Sequence, residues 1–379
     1  MDNLVSRAAC EADLPRLCAI WDECFSVGHD YFLTCINNLP GRDWNDSRIL
    51  EKNGEILSAL NLYRIPVRFG AAVLSMGGIG DVCTPAAHRK HGYSSRLLAD
   101  AQAYLVARGC SLSYLYSGLT SFYGRAGWSP VAMPWARLIR WQETARDATI
   151  RAAREQDVAA LDAIYHSFFA PCVGWAERSP EYWRRRVFSE LHRLDVAERD
   201  GRIVAYALSD VLPDRHGGFK EAACLPGQEA AAGALLTWLA ERYRPAKTGR
   251  RGHFLLDLML AQDLQGLHNE LMAMVLDWDL FAQQMQSEFQ RRLAGRRLRL
   301  ALAVDNPARP GGLLFENGQA SALRDRPPDL ALSSTDFWKL LSGQARVDDL
   351  LPHLSPLHFD LLSAAFPPVE FFYSNGDYF

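Results

Sequence analysis

An excess of either charge is missing from this chain: 41 lysines and arginines nearly cancel 44 aspartates and glutamates, leaving a net charge of −3 over 379 residues. That balance gives no general attraction for nucleic acid or an anionic membrane. Basic residues cluster only briefly, as at Arg184-Arg185-Arg186, so any polyanion it binds must be small and held locally. Eight cysteines occur, none in a C-x-x-C spacing and most in apolar text. This suits free thiols in a reducing cytoplasm and implies neither disulfides nor a zinc site. No run of about eighteen apolar residues occurs, and the opening MDNLVSRAACEAD carries acids and no long apolar core, so a soluble cytoplasmic protein without a membrane partner is expected. No H-x-x-x-H pair, Ser-His-Asp order or G-x-S-x-G elbow is found, and metal-site and serine-hydrolase readings have no support.

What is present is a large apolar fraction, 49%, and enough length for two or three cores. It is also a diverged repeat. Arg7-Ala8-Ala9-x-Glu11-x-Asp13 recurs 144 residues later as Arg151-Ala152-Ala153-x-Glu155-x-Asp157. Asn53-Gly54 returns as Asp200-Gly201 after 147 residues, each between strand-like runs, and N-G or D-G there is a strong hairpin signal. Val82-Cys83-Thr84-Pro85 answers to Ala223-Cys224-Leu225-Pro226 after 141. Three ordered matches at nearly constant spacing predict duplicated α/β modules, each a mixed sheet with helices on both faces. From about Arg291 the text changes to LRLALAVDN, a Pro-Gly-Gly turn, LLFENGQ and DLALSSTDFWKLLSG. This reads as antiparallel strands followed by a helix capped by Ser334 or Thr335 and stopped by Gly343. The expected division is 1–148, 149–288 and 289–379, of class α/β (α+β), with a small α+β third domain.

The chemistry-bearing stretch is HRKHGYSSRLL at 88–98. A glycine-rich strand, MGGIGDVCT, arrives at Pro85; afterwards Leu97, Leu98, Ala101 and Leu105 share a helical face that Gly109 ends. In the turn between, Gly92 lets a ligand approach the backbone, and Ser94 and Ser95 keep the first helical turn open. Unpaired amides at the positive end of a helix dipole suit a phosphate, and Arg89 and Lys90 add charge. Alone, such a turn reads equally as a solvated basic loop.

Further on lie the strand Ser113–Ser117 and then Ser121-Phe122-Tyr123-Gly124-Arg125-Ala126-Gly127-Trp128. With Arg89-x-x-Gly92-x-Ser94, these residues resemble the GNAT acetyltransferase superfamily, with Ser at the last small position and Pro85 one place early. The resemblance implies acetyl-CoA as co-substrate. Its pyrophosphate would be held by Arg89, Lys90, His91, Gly92, Tyr93, Ser94 and Ser95, and its pantetheine amides by the strand edge at Val82 and Cys83. The second module has ACLPGQEAAAGALL instead, with no Arg or Lys and with Glu229 to repel phosphate; it reads as a copy without cofactor. Two such modules and a small α+β domain resemble the enhanced intracellular survival (Eis) acetyltransferases over nearly the whole chain. In that group the third domain is similar to a sterol carrier protein, and the subunits form a closed ring, so a homo-oligomer such as a hexamer is implied.

Acetyl transfer from a thioester to an amine needs a neutral amine, an oxyanion donor and a proton for the leaving thiolate. Tyr123, at the family's F-Y position, is the candidate general acid, since a phenol with a pKa of about 10 keeps its proton at neutral pH; the alternative is a packed ring beside Gly124. The resemblance makes the C-terminal carboxylate of Phe379 the base, and the aromatic ending FFYSNGDYF weighs against a frayed tail, because exposed rings are unfavourable in water. His88 and His91 face solvent or phosphates, and Cys83 is a packed thiol unless nearby positive charge lowers its pKa. For the acceptor, Asp22, Phe25 and Trp44 combine acid and aromatic character suited to a small cationic amine, and an amphipathic helix with a solvated acidic face explains them equally. The function implied is an N-acetyltransferase acting on an aminoglycoside-like or polyamine acceptor. The alternatives are a lipid or hydrophobic-ligand carrier using the third domain, or a scaffold.

Overall fold

Asn53 and Gly54 turn with φ of 51° and 81°, and Asp200 and Gly201 with 51° and 72°, the backbone that lets a tight turn match strand twist. Around these two hairpins the chain builds two units, Met1–Val131 with Asn269–Val369, and Ala132–His268 with Glu370–Tyr378. A computed structural model describes residues 4–25, 27–134, 136–137, 148–210, 219–242, 247–248, 267–268, 271–374 and 377.

In the first unit, strands β1 (Leu4–Ala8), β2 (Ser47–Lys52), β3 (Glu55–Phe69) and β4 (Ala72–Cys83) are antiparallel neighbours in that order, and β5 (Leu112–Tyr116) joins β4 in parallel. The strand Leu271–Val275, which chain order counts with the second repeat, lies between β5 and β6 (Ser129–Pro130). All five of its residues are buried, as suits a central strand covered on both faces. Helices α1 (Leu14–Cys24), α2 (His29–Asn37), α3 (Tyr93–Ala107) and α4 (Thr120–Arg125) complete this part. The apolar face foreseen for α3 is buried: Leu97, Leu98, Ala101 and Leu105 pack with Leu60, Leu62, Ile79, Leu115, Met272 and Met274. Leu105 lies so close over Gly77 that a Cβ there would meet it at 2.5 Å, which is why this strand carries glycine.

The helices Trp278–Gln284 and Gln286–Arg292 belong to the same unit. Gln284 Oε1 accepts hydrogen bonds from the Ser75 amide (3.0 Å) and Ser111 hydroxyl (2.6 Å), and the buried Glu288 accepts from the Ala71 amide (2.9 Å). Beyond them a four-stranded sheet runs in the order Gln319–Ala322, Gly311–Glu316, Arg299–Asp305, Leu330–Ser333. Its last pair is parallel, so the strand set is mixed rather than wholly antiparallel. The helix after it is capped one residue early: Ser333 Oγ, not Ser334 or Thr335, accepts the Asp336 amide at 3.1 Å. Gly343, with φ of 70°, ends that helix as expected. Phe289, Phe315, Phe337 and Phe366 pack ring against ring inside this layer at 5.6–6.5 Å.

The second unit repeats the first's local interactions. Arg7 bridges Asp13 and Glu51 at 2.7 Å each, and Arg151 bridges Asp157 (2.7 Å) and Glu198 (2.5 Å). Asp13 and Asp157 also accept the amides of Cys10 and Arg154. Ala59 pairs with Cys83, and Ala205 with Cys224. Thr149–Ala152, His192–Arg199, Arg202–Asp210 and Phe219–Cys224 form its antiparallel sheet.

Its interior holds a charged knot. The fully buried Arg178 donates to Glu221 (2.8 and 2.7 Å) and to Asp377 (3.0 and 2.9 Å). Tyr206 and Tyr182 hydroxyls donate to the same two carboxylates, and the guanidinium lies 4.2 Å from the Tyr165 ring centre. Phe372 stacks on Phe169 at 4.3 Å. Asp377 is therefore held in this unit by an ion pair, and Phe372 by a ring stack. Removing Arg178 alone strands two buried carboxylates. Arg178→Ala should lose about 3–5 kcal/mol in denaturant unfolding and expose residues near 377 to protease; a loss under about 1 kcal/mol would contradict this account of the knot.

Candidate active site

Strand β4 parts from β5 within the first sheet. Their pairing runs from Met76↔Leu112 to Ile79↔Leu115 and stops there, although β4 continues to Cys83 and β5 to Tyr116. The cause lies on the other side of β4. Its register with β3 passes from Asn61↔Gly80 to Ala59↔Cys83, so β4 carries one extra residue, a bulge that bends the strand. Asp81 sits in the bulge with φ of 56°. Past Ile79, one edge of β4 thus faces a gap in which an extended, amide-bearing chain can pair.

The turn beyond opens onto the same end of β4. Gly92 takes φ of 77° and begins α3, no side chain caps that helix, and a Cβ on Gly92 would meet nothing within 4 Å. Among the described residues, no hydrogen bond closes off the amides of Gly92, Tyr93, Ser94 or Ser95. Lys90 has φ of 68°. Arg89 is exposed, with Nε donating to the Thr84 carbonyl at 3.1 Å. Hydroxyls tie the turn to the sheet: Ser94 meets Thr84 at 2.9 Å, Thr84 donates to Ser58 at 3.0 Å, and Ser58 donates to the Cys83 carbonyl at 2.8 Å. His91 stacks against Tyr93 at 5.5 Å, and His88 Nε2 meets Glu55 at 2.9 Å. At the matching turn of the second unit, Glu229 accepts the Gly227 amide at 3.2 Å, so an acidic side chain occupies a donor that an anion would need.

Val82 is half-buried against the α3 cluster, and Cys83 is buried with Sγ 3.7 Å from the Ala59 carbonyl. A hydrogen bond shared with Cys24, and burial, push the Cys83 thiol well up. Cys24 is drawn down to about 7 by that bond and by Arg89, against the effect of burial. Tyr123 is buried in the α3 cluster, 4.9 Å from Phe122 and 6.3 Å from Trp128.

The acceptor candidates are less gathered. Asp22 is exposed and paired with His29 Nδ1 at 2.8 Å, which raises the histidine's pKa. Phe25 packs on Phe32 at 5.0 Å, and Trp44 opens a short helical turn before β2. Among the described residues no hydrogen bond or ring contact joins Trp44 to either. Phe379 lies outside the described residues. Asp81, in the run GGIGD, carries no periodic signal in the sequence; its Oδ2 accepts from the Asn61 amide group (2.8 Å) and the Tyr63 hydroxyl (2.5 Å).

Residues 6–131 match the family model described as an acetyltransferase (GNAT) domain. The fold is similar to a GCN5-related N-acetyltransferase from Kribbella flavida (16% identity, TM-score 0.75, 100% of this chain and 99% of that one covered). It is also similar to a probable N-acyltransferase of unknown function from Enterococcus faecalis (15%, 0.77, 100% of both chains). A third similar structure is Eis1 from Mycobacterium abscessus (15%, 0.63, 99% of this chain and 100% of that one). No curated protein matches the sequence. With its splayed strands and open helix start, the segment 6–131 is an acetyltransferase (GNAT) domain, and the protein is an acyltransferase.

Proposed function

We propose that the protein transfers an acetyl group from acetyl-CoA to a primary amine of a small cationic acceptor. The observation that carries this is the end of β4–β5 pairing at Ile79↔Leu115 beside the uncapped, open Gly92 turn. An edge with unclaimed strand groups next to a cluster of outward amides fits a ligand that is part peptide-like and part diphosphate. When bound, the thioester supplies the activated acyl group. Residues 89–95 hold the diphosphate, the β4 edge at Val82 and Cys83 pairs with the pantetheine amides, and Tyr123 gives its proton to the departing thiolate. The Phe379 carboxylate takes the amine's proton, a role that rests on the Eis resemblance. Asp22, Phe25 and Trp44 border the acceptor. The second unit acts as a cofactor-free copy, which the Glu229 contact supports, and the rings filling the C-terminal layer favour a structural, sterol-carrier-like part over lipid carriage. A homo-oligomeric ring follows from the same resemblance, and the cysteine usage supports a cytoplasmic setting.

Arg89→Glu should weaken acetyl-CoA binding in calorimetry at least tenfold; unchanged affinity would reject the diphosphate assignment. Tyr123→Phe should lower kcat by about 10²-fold or more with little change in KM, followed as CoA released across a panel of aminoglycosides, polyamines, arylalkylamines and lysine peptides. Adding one residue after Phe379 should slow turnover while acetyl-CoA affinity stays the same, and normal turnover would exclude the terminal carboxylate as base.

A further inference from the structure

We propose that Cys24 and Cys83 form an oxidisable thiol pair at the end of β4, a modification site at which peroxide oxidises Cys24 and Cys83 closes a disulfide onto it. The two are far apart in sequence and joined by the fold. Cys24 is the last residue of α1, Cys83 is the last of β4, and α1 packs on β4. Their thiols share a hydrogen bond. One residue before Cys24, Glu23 accepts the Ala86 amide at 2.8 Å, which fastens the end of the helix to the chain just past Cys83. Arg89 reaches the same junction from the Gly92 turn, donating to Cys24 and, through Nε, to the Thr84 carbonyl at 3.1 Å.

The two thiols stand in unequal surroundings. Cys24 is half-buried and open to solvent on one side, whereas Cys83 is 3% exposed. The bond from Cys83 draws Cys24 down to about 7; burial and the Glu23 charge oppose this, and Arg89 assists it. A large share of Cys24 is therefore thiolate at neutral pH, the form that attacks an oxidant. Cys83 is held well up, first by its bond to Cys24 and then by burial, and keeps its proton. Burial pushes the thiols of Cys18, Cys110 and Cys224 up as well. The exposed Cys10 donates its thiol to an Asp13 carboxylate oxygen at 3.3 Å. Cys24 combines access with two donors, a cation and a second thiol.

The chemistry follows from that arrangement. The Cys24 thiolate attacks one peroxide oxygen; the O–O bond breaks, and the departing hydroxide takes a proton and leaves as water. Cys24 then carries a neutral sulfenic acid. With the thiolate charge gone, the chief cause that kept the proton on Cys83 is gone too. The Cys83 sulfur attacks the Cys24 sulfur, and its proton leaves with the displaced hydroxyl as a second water. Two thiols and one peroxide become one disulfide and two waters, and a dithiol reductant reverses the bond by exchange. Closing it brings the sulfurs from hydrogen-bond contact to about 2.05 Å. That movement falls on the end of α1, where the chain leaves the helix at Phe25 with φ of −128° and ψ of 144°.

The link from this pair to acyl-CoA, unlike its thiol chemistry, rests on the function proposed above. There Arg89 holds the diphosphate, so a bound diphosphate and the Cys24 thiolate compete for one guanidinium. Acetyl-CoA should therefore slow the oxidation of Cys24.

The test exposes the full-length protein, reduced and then freed of reductant, to hydrogen peroxide, alkylates it and maps its peptides by mass spectrometry without reduction. The Cys24 and Cys83 peptides should appear joined, and dithiothreitol should separate them. With dimedone present, Cys83→Ala should carry the sulfenic-acid adduct on Cys24 and form no disulfide, and Cys24→Ser should leave Cys83 a free thiol. The wild-type map decides the pair whether or not either variant folds. Saturating acetyl-CoA should slow the appearance of the joined peptide about threefold or more, by withdrawing Arg89 from the thiolate. Cys24 remaining a free thiol after Cys10 has reacted, or joined to a cysteine other than Cys83, would overturn the pair. An unchanged rate with acetyl-CoA that calorimetry shows to be bound would overturn the competition for Arg89. A protein that joins Cys24 to Cys83 yet binds no acetyl-CoA would overturn the acyl-transfer reading and leave the thiol pair standing.

Discussion

Everything at the candidate site depends on β4 being unable to follow β5 beyond Ile79. A sheet satisfies its backbone by pairing neighbours to their ends, so an interior gap needs a cause. Here the cause is one extra residue in β4, which turns the strand away from β5 while leaving its pairing with β3 nearly whole. The α3 cluster fixes the part of β4 below the bulge, with Leu105 seated on Gly77. The bend is thus concentrated in residues 80–83. The same bend brings the strand's end to Thr84 and the Gly92 turn, where three hydroxyls connect strand, turn and helix. A peptide-like edge and a set of open amides become adjacent through that one distortion.

The two units show how far one local design carries. Arginine, capping aspartate and strand glutamate are reproduced with matching distances, as is the alanine–cysteine register. These interactions fix how a first strand, first helix and hairpin meet, and they have no bearing on ligands. At the turn the two units differ: Gly92 has open space and uncapped amides, whereas Gly227 has Glu229 folded onto its amide. A scaffold kept by an ion-pair network can lose or change its turn without losing its fold, because the two rest on different atoms.

The apolar face of α3, its stop at Gly109, both hairpins and the strand-to-helix turn were legible because each depends on residues within a few positions of one another: 3.6-residue periodicity, positive φ at Asn-Gly or Asp-Gly, and a glycine where the backbone must bend. The cap at Ser333 instead of Ser334 or Thr335 was missed by one residue because three consecutive hydroxyls offer equal local signals, and the parallel pairing of Leu330–Ser333 with Arg299–Asp305 chose between them. Asp81 was passed over for a related reason. A lone aspartate in a glycine-rich run gives no periodic signal, and its meaning appears only when Asn61, Tyr63 and the bulge surround it.

By itself the amino-acid order determined the local pieces: a strand–helix–hairpin frame that recurs along the chain, and an amide-rich turn with positive charge at its first occurrence and an acid at the second. Only the tertiary structure decided which distant segments share a sheet or a charge. It inserted Leu271–Val275 between β5 and β6, joined Arg178 to Glu221 and Asp377, and turned Asp81 onto Asn61 and Tyr63. The reason is physical. Pairing between residues 40 to 200 positions apart is settled by which buried surfaces and charges fit together, and no short window of sequence contains both partners.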